Sequence, residues 1–104
     1  MALETWEALQ ALNGVVSSIA AAVESQLVLP INKSRSRAIF VNTTTNTYYL
    51  MFSSNQGADL TTSFYSVSIA AGASYELNFA YTGAVYGISG TAGGTILVTE
   101  LSGN

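Results

Sequence analysis

The sequence predicts a mainly β domain, a small antiparallel β-sandwich or barrel of about six strands, preceded by one N-terminal amphipathic α-helix. Three observations carry that reading. Apolar residues recur at helical spacing before Pro30. From Ala38 onward the apolar period changes to two. Turn-forming clusters then punctuate the chain at short, regular intervals.

The predicted elements divide the chain into a helix over residues 1–30, a basic linker over 31–37 and a β domain over 38–104. In the first, Leu9, Leu12, Val16, Ile19 and Val23 are spaced three, four, three, four, as on one side of a helix that seeks a partner. Glu4 and Glu7 suit a helix N-terminus, and Pro30 stops any helix at or before Leu29. Asn13 and Gly14 weaken the interior. A Val and Ile seam is compatible with a trimeric coiled coil, although the same stripe also suits packing on its own sheet or docking on another protein.

"INKSRSR" (31–37) is polar and holds every positive charge: Lys33, Arg35 and Arg37. "AIFVN" (38–42) and "TYYLMFS" (47–53) are β-branched and aromatic, with "TTTN" (43–46) as the turn between them. After the loop "NQGAD" (55–59), "LTTSFYSVSI" (60–69) reads as a third strand. "AAGAS" (70–74) turns the chain around Gly72 into "YELNFAY" (75–81), where Tyr75, Leu77, Phe79 and Tyr81 share a face. "AVYGIS" (84–89), the turn "GTAGG" (90–94) and "TILVTEL" (95–101) complete the set.

Composition narrows the function. Charged residues are 9% of the 104, against roughly a quarter in an average chain. Such a surface suits a protein that buries itself against copies or partners. The net charge of −3 is segmented, with Glu4, Glu7 and Glu24 before the basic cluster and Asp59, Glu76 and Glu100 after it. That pattern lacks the basic face of a nucleic-acid binder. The uncharged stretch from Ala8 to Val23 is too short for a membrane span, and no membrane association is expected. The chain has no His and no Cys, which removes the usual zinc ligands, nucleophile–base pairs and disulfides. No catalytic, cofactor or metal residue is assigned, and the reading is non-enzymatic. "NQGAD" reads as an ordinary loop in preference to a calcium site, and "GISGTAGGT" (87–95) as a hairpin turn in preference to a phosphate loop. The aromatic residues are expected in core and interface, with carbohydrate stacking as the sharper alternative.

The stretches "SRAIFVNTTTNTYYLMFS" (36–53), "IAAGASYELNF" (69–79) and "GAVYGISGTAGGTILVTEL" (83–101) resemble small structural proteins of tailed bacteriophages. The likeness is one of strands and turns over about 65 residues. It implies a virion location and a homo-oligomer, often a trimer, that covers or bridges other subunits, with the major capsid protein or another virion protein as partner. Head decoration is the first expectation, and a tail or fibre-associated module binding a receptor or glycan is the alternative. The N-terminal helix would suit a fibre anchor as well as a capsid cap. The expected contact residues are Leu9, Leu12, Val16, Ile19 and Val23, with Arg35 and Arg37 as lesser polar contacts; the basic stretch itself reads first as a solvated linker, with salt bridges to Glu4, Glu7 or Glu24 of a neighbouring chain as the alternative.

Overall fold

The computed structural model describes residues 13–103. They form eight strands: β1 (Asn13–Ala20), β2 (Gln26–Leu29), β3 (Arg35–Asn42), β4 (Tyr48–Phe52), β5 (Val67–Ile69), β6 (Ser74–Leu77), β7 (Val85–Ser89) and β8 (Thr95–Ser102). A single 3-10 turn, Gly57–Asp59, interrupts the β4–β5 connection. The strands make two antiparallel four-stranded sheets, ordered β1-β8-β3-β6 and β2-β7-β4-β5. Consecutive strands thus alternate between sheets early in the chain, which is the connectivity of a jelly roll.

The inner faces are built by alternation. Ala38, Phe40 and Asn42 of β3, and Ile96 and Val98 of β8, point inward from the first sheet and are buried. Tyr48 and Leu50 of β4, Ile69 of β5 and Val85 of β7 meet them from the second. Asn42 is the polar exception and has no exposed surface. Its Nδ2 donates to the Asn46 carbonyl at 2.7 Å and the Ile69 carbonyl at 2.9 Å. Its Oδ1 accepts from the Thr44 hydroxyl at 2.7 Å. One buried amide therefore holds the β3–β4 turn against the end of β5, satisfying groups that would otherwise be costly to bury. Gly72, with φ of 76°, makes the β5–β6 turn in the left-handed region and donates its N–H to the Asn42 carbonyl at 2.9 Å.

Met51 and Ile88 lie on the opposite, outer face of the second sheet. Leu60, from the β4–β5 connection, packs on them, flanked by Tyr49 and Tyr86. The connection is thus a third layer over that sheet. At one end of the sandwich Phe52 gathers Tyr75, Phe79 and Tyr81 at centroid distances of 6.0, 6.0 and 5.7 Å.

The mainly β sandwich agrees with expectation, but it has eight strands and no α-helix among the described residues. Residues 13–20, expected to be helical, are a strand paired along their whole length with β8, from Asn13↔Ser102 to Ala20↔Thr95. The reason is local and tertiary together. Val15, Val16 and Ile19 are β-branched and Gly14 is flexible, so helix formation is weak. The spacing of apolar residues also reads at period two, and it places Ile19 against the core. The earlier part of the expected helix, residues 1–12, lies outside the described residues. Residues 26–29 form β2, and the expected linker contributes Arg35–Arg37 to β3. The expected strand at 60–69 is reduced to Val67–Ile69 plus a Thr61–Phe64 bridge, because Leu60 is drawn down onto the sheet. The strand expected over 75–81 stops at Leu77, where its partner β3 approaches a bulge between Arg35 and Arg37.

Two stability predictions follow from this packing. A Cβ at Gly87 would fall inside the contact distance of the Tyr48 ring, which is fully buried and cannot swing aside. Gly87→Ala is expected to cost about 1–3 kcal/mol in urea denaturation. Burial pushes the Tyr48 phenol up from its ordinary value of about 10. The unfolded chain then loses this proton first as the pH rises, so the contribution is complete below about pH 10 and declines above it. Tyr48→Phe is expected to make the alkaline fall in stability shallower, measured by denaturation across pH 8 to 11 (roughly the range that brackets an ordinary phenol).

Candidate functional site

The two outer faces of the sandwich differ. That of the second sheet carries Leu60 and its loop over Met51 and Ile88. That of the first sheet has no such layer among the described residues. Its side chains follow from the register. Val16 of β1 stands beside Thr99 of β8, then Ile39 of β3, then Glu76 of β6. The next row is Ser18, Leu97, Val41 and Ser74, and on the other side lie Gly14, Leu101 and Arg37. The middle of this face is therefore β-branched and aliphatic. Val16 is 70% exposed and Leu97 39%. These aliphatic side chains adjoin one another across β1, β8 and β3, which makes this face the candidate contact surface. Its polar rim is Arg37 and Glu76, whose side chains pair across β3 and β6 at 3.3 Å in solvent.

The expected contact residues are dispersed by the fold. Leu9 and Leu12 lie outside the described residues. Val16 is on the outer face, whereas Ile19, three positions on, points inward; in a strand a spacing of three reverses the face. Val23 is in the β1–β2 connection and 51% exposed. The seam expected over Leu9–Val23 is thus absent where it can be followed.

Arg35 departs further from expectation. Its side chain is 1% exposed. Its Nε donates to Glu100 Oε2 at 2.7 Å, Nη1 to the carbonyls of Gly83 at 2.8 Å and Tyr81 at 3.2 Å, and Nη2 to the Pro30 carbonyl at 2.7 Å. The guanidinium is consumed in joining the end of β2, the β6–β7 loop and β8. Its acidic partner is Glu100 of the same chain, and that of Arg37, exposed at the surface, is Glu76.

Sequence reasoning missed Ile39, Val41, Leu97 and Leu101. The signal was present: "RAIFV" and "TILVTEL" carry apolar residues on both alternating faces, as strands covered on both sides do. Other chemistry is sparse. Among the described residues no three acidic side chains converge as metal ligands. Tyr49 and Tyr65 pack at a centroid distance of 4.8 Å, and Phe64 and Tyr65 are 52% and 42% exposed on the β4–β5 connection.

The sequence matches no family model and no curated protein. Solved structures do share the fold. One comes from Bacillus endospore appendages, described as a novel family of disulfide-linked pili; it superposes with a TM-score of 0.58 at 18% identity over 88% of this chain and 86% of that one. Another is the stem and receptor binding domain of the spike protein P1 from bacteriophage PM2, with a TM-score of 0.50 at 16% identity over 74% of this chain. The match spans only 29% of the spike chain. At these identities the likeness is one of fold. The present sequence has no Cys, so its residues cannot make the disulfide link named for those pili.

Substitutions should separate scaffold from surface. Arg35→Ala leaves Glu100 without its cation and three carbonyls without a donor, and is expected to cost about 3–5 kcal/mol. Val16→Ser is expected to stay within about 0.5 kcal/mol of the parent. Urea denaturation of the two variants checks both values.

Proposed function

We propose that this chain is a non-enzymatic structural protein of a bacteriophage virion, acting through self-association and contacts with other virion subunits. The observation that carries the reading is the apolar outer face of the β1-β8-β3-β6 sheet, left without a covering layer among the described residues and centred on Val16, Thr99, Leu97, Ile39 and Val41. Burial of a standard-size interface, about 800 Å² on each partner, would stabilise a neighbouring subunit. The likeness of fold to a phage spike domain and to a structure from endospore pili is consistent with a subunit that works by being packed. Capsid decoration is the particular role favoured, with the major capsid protein beneath this face.

A second reading draws on Phe64 and Tyr65, the exposed rings of the β4–β5 connection. They offer apolar ring faces to a receptor or glycan. A glycan array probed with the full chain and with Tyr65→Ala distinguishes it: specific binding lost in the variant favours the tip role.

The main reading is tested on particles. Virions from the host strain that encodes the chain are purified by density gradient and examined by mass spectrometry and immunogold labelling. Recovery of many copies per particle, reduced in a Thr99→Lys variant, is expected. Recovery only from the soluble fraction overturns the virion assignment.

A further inference from the structure

Four strands end the two sheets, and three of them are guarded. β2 has four residues, a register shift between Leu27 and Leu29, and Pro30 directly after it. β5 has three residues. β6 has four and carries Glu76. Short edges, irregular pairing, prolines and charges are the devices that prevent strands from pairing with other chains. β1 has none of them. It runs for eight residues in unbroken register, without Pro or a charged side chain, and its described partner is β8 alone.

The backbone groups of its other edge can be identified. The Ala21 N–H donates to the Gly94 carbonyl at 3.1 Å, and the Ala21 carbonyl accepts from the Gly93 N–H at 3.1 Å. In an antiparallel ladder the residues bonded to one neighbour alternate with those directed away from it. Val15, Ser17 and Ile19 therefore face β8, and Gly14, Val16, Ser18 and Ala20 present their N–H and C=O groups outward. The Ala20 carbonyl is met by the Gln26 side-chain amide at 3.1 Å, which agrees with this phase. Gly14, Val16 and Ser18 remain as the outward donors and acceptors.

We propose that this edge pairs with β1 of a second copy, antiparallel about a two-fold axis at Val16. This pairing deepens the self-association reading above and rests on it. The set is self-complementary. Val16 faces Val16 of the copy, and Gly14 faces Ser18 in both directions, so every outward group of the three residues finds a partner. The apposed strands carry no charge, so a chain of net charge −3 meets no like-charge contact along this seam. The outer faces of the two copies join into one apolar surface across an eight-stranded sheet, continuous through the two Val16 side chains.

The test uses the full chain. Sedimentation equilibrium gives its mass, and hydrogen exchange followed by NMR gives the protection of individual amides. A mass that fits dimers, with the Gly14, Val16 and Ser18 amides protected alongside Val15, Ser17 and Ile19, is expected. Val16→Pro removes an N–H that does not serve the β8 ladder, and Val16→Lys introduces the missing charge. Both are expected to give a folded monomer in which exchange at Gly14 and Ser18 accelerates at least tenfold. Where the proline variant does not fold, the lysine variant and the exchange of the parent chain decide. A monomeric parent chain overturns the proposal, whether its outward amides exchange freely or are protected by its own residues 1–12. An oligomer that persists in folded Val16→Lys with unprotected outward amides also overturns it and leaves assembly to the sheet face. Recovery of the chain in purified virions is a separate observation, so the pairing can fail while the virion assignment stands.

Discussion

The structure depends on β8 being bound on both edges and apolar on both faces. Thr95–Ser102 pairs with β1 on one side and β3 on the other. Its inward residues Ile96 and Val98 are fully buried in the core. Its outward residues Leu97, Thr99 and Leu101 form the middle of the candidate surface. Its last inward acid, Glu100, receives the buried Arg35. One strand thus sets the core, the contact face and the ion pair that closes the end of the sandwich. Residues 13–20 become part of the fold because β8 offers β1 a complete ladder.

The difference between the two outer faces is the feature that bears on function. A sheet with apolar residues on both sides must be covered on both sides, and an antiparallel sheet needs only one buried face to be stable. The second sheet is covered by its own β4–β5 connection, through Leu60 over Met51 and Ile88. The first spends no described residues in this way, and its aliphatic rows meet the solvent. Arg35, by contrast, serves the scaffold. Its ion pair and three carbonyl contacts tie segments distant in sequence, so a basic cluster that suggests a surface contact is divided between an interior tie and the exposed Arg37–Glu76 pair.

Much of the scaffold was legible in the residues alone. "TTTN", "AAGAS" and "GTAGG" are turns, and the alternation at Ala38–Asn42, Tyr48–Phe52 and Thr95–Leu101 identifies strands and their inner faces. These are local properties of side-chain branching and backbone freedom, so they survive without knowledge of partners. Residues 13–20 were not legible, because Val16, Ile19 and Val23 satisfy a helical period while Val15, Ser17 and Ile19 satisfy a strand period. The two-sided apolar character of "TILVTEL" pointed to the candidate face, but a spacing alone does not say which of its faces the chain itself covers.

The sequence by itself determined a β class, the places where the chain turns, and a set of residues without His or Cys to support metal or thiol chemistry. Tertiary structure decided that residues 13–20 are a strand, that Arg35 is interior and that, among the described residues, the outer face of one sheet lacks a cover. Each of those outcomes rests on partners far along the chain: Ser102 opposite Asn13, Glu100 beside Arg35, Leu60 over Ile88. Local periodicity carries no record of such distant pairings, because hydrogen-bonded ladders and buried charges acquire their energy only when the chain ends are brought together.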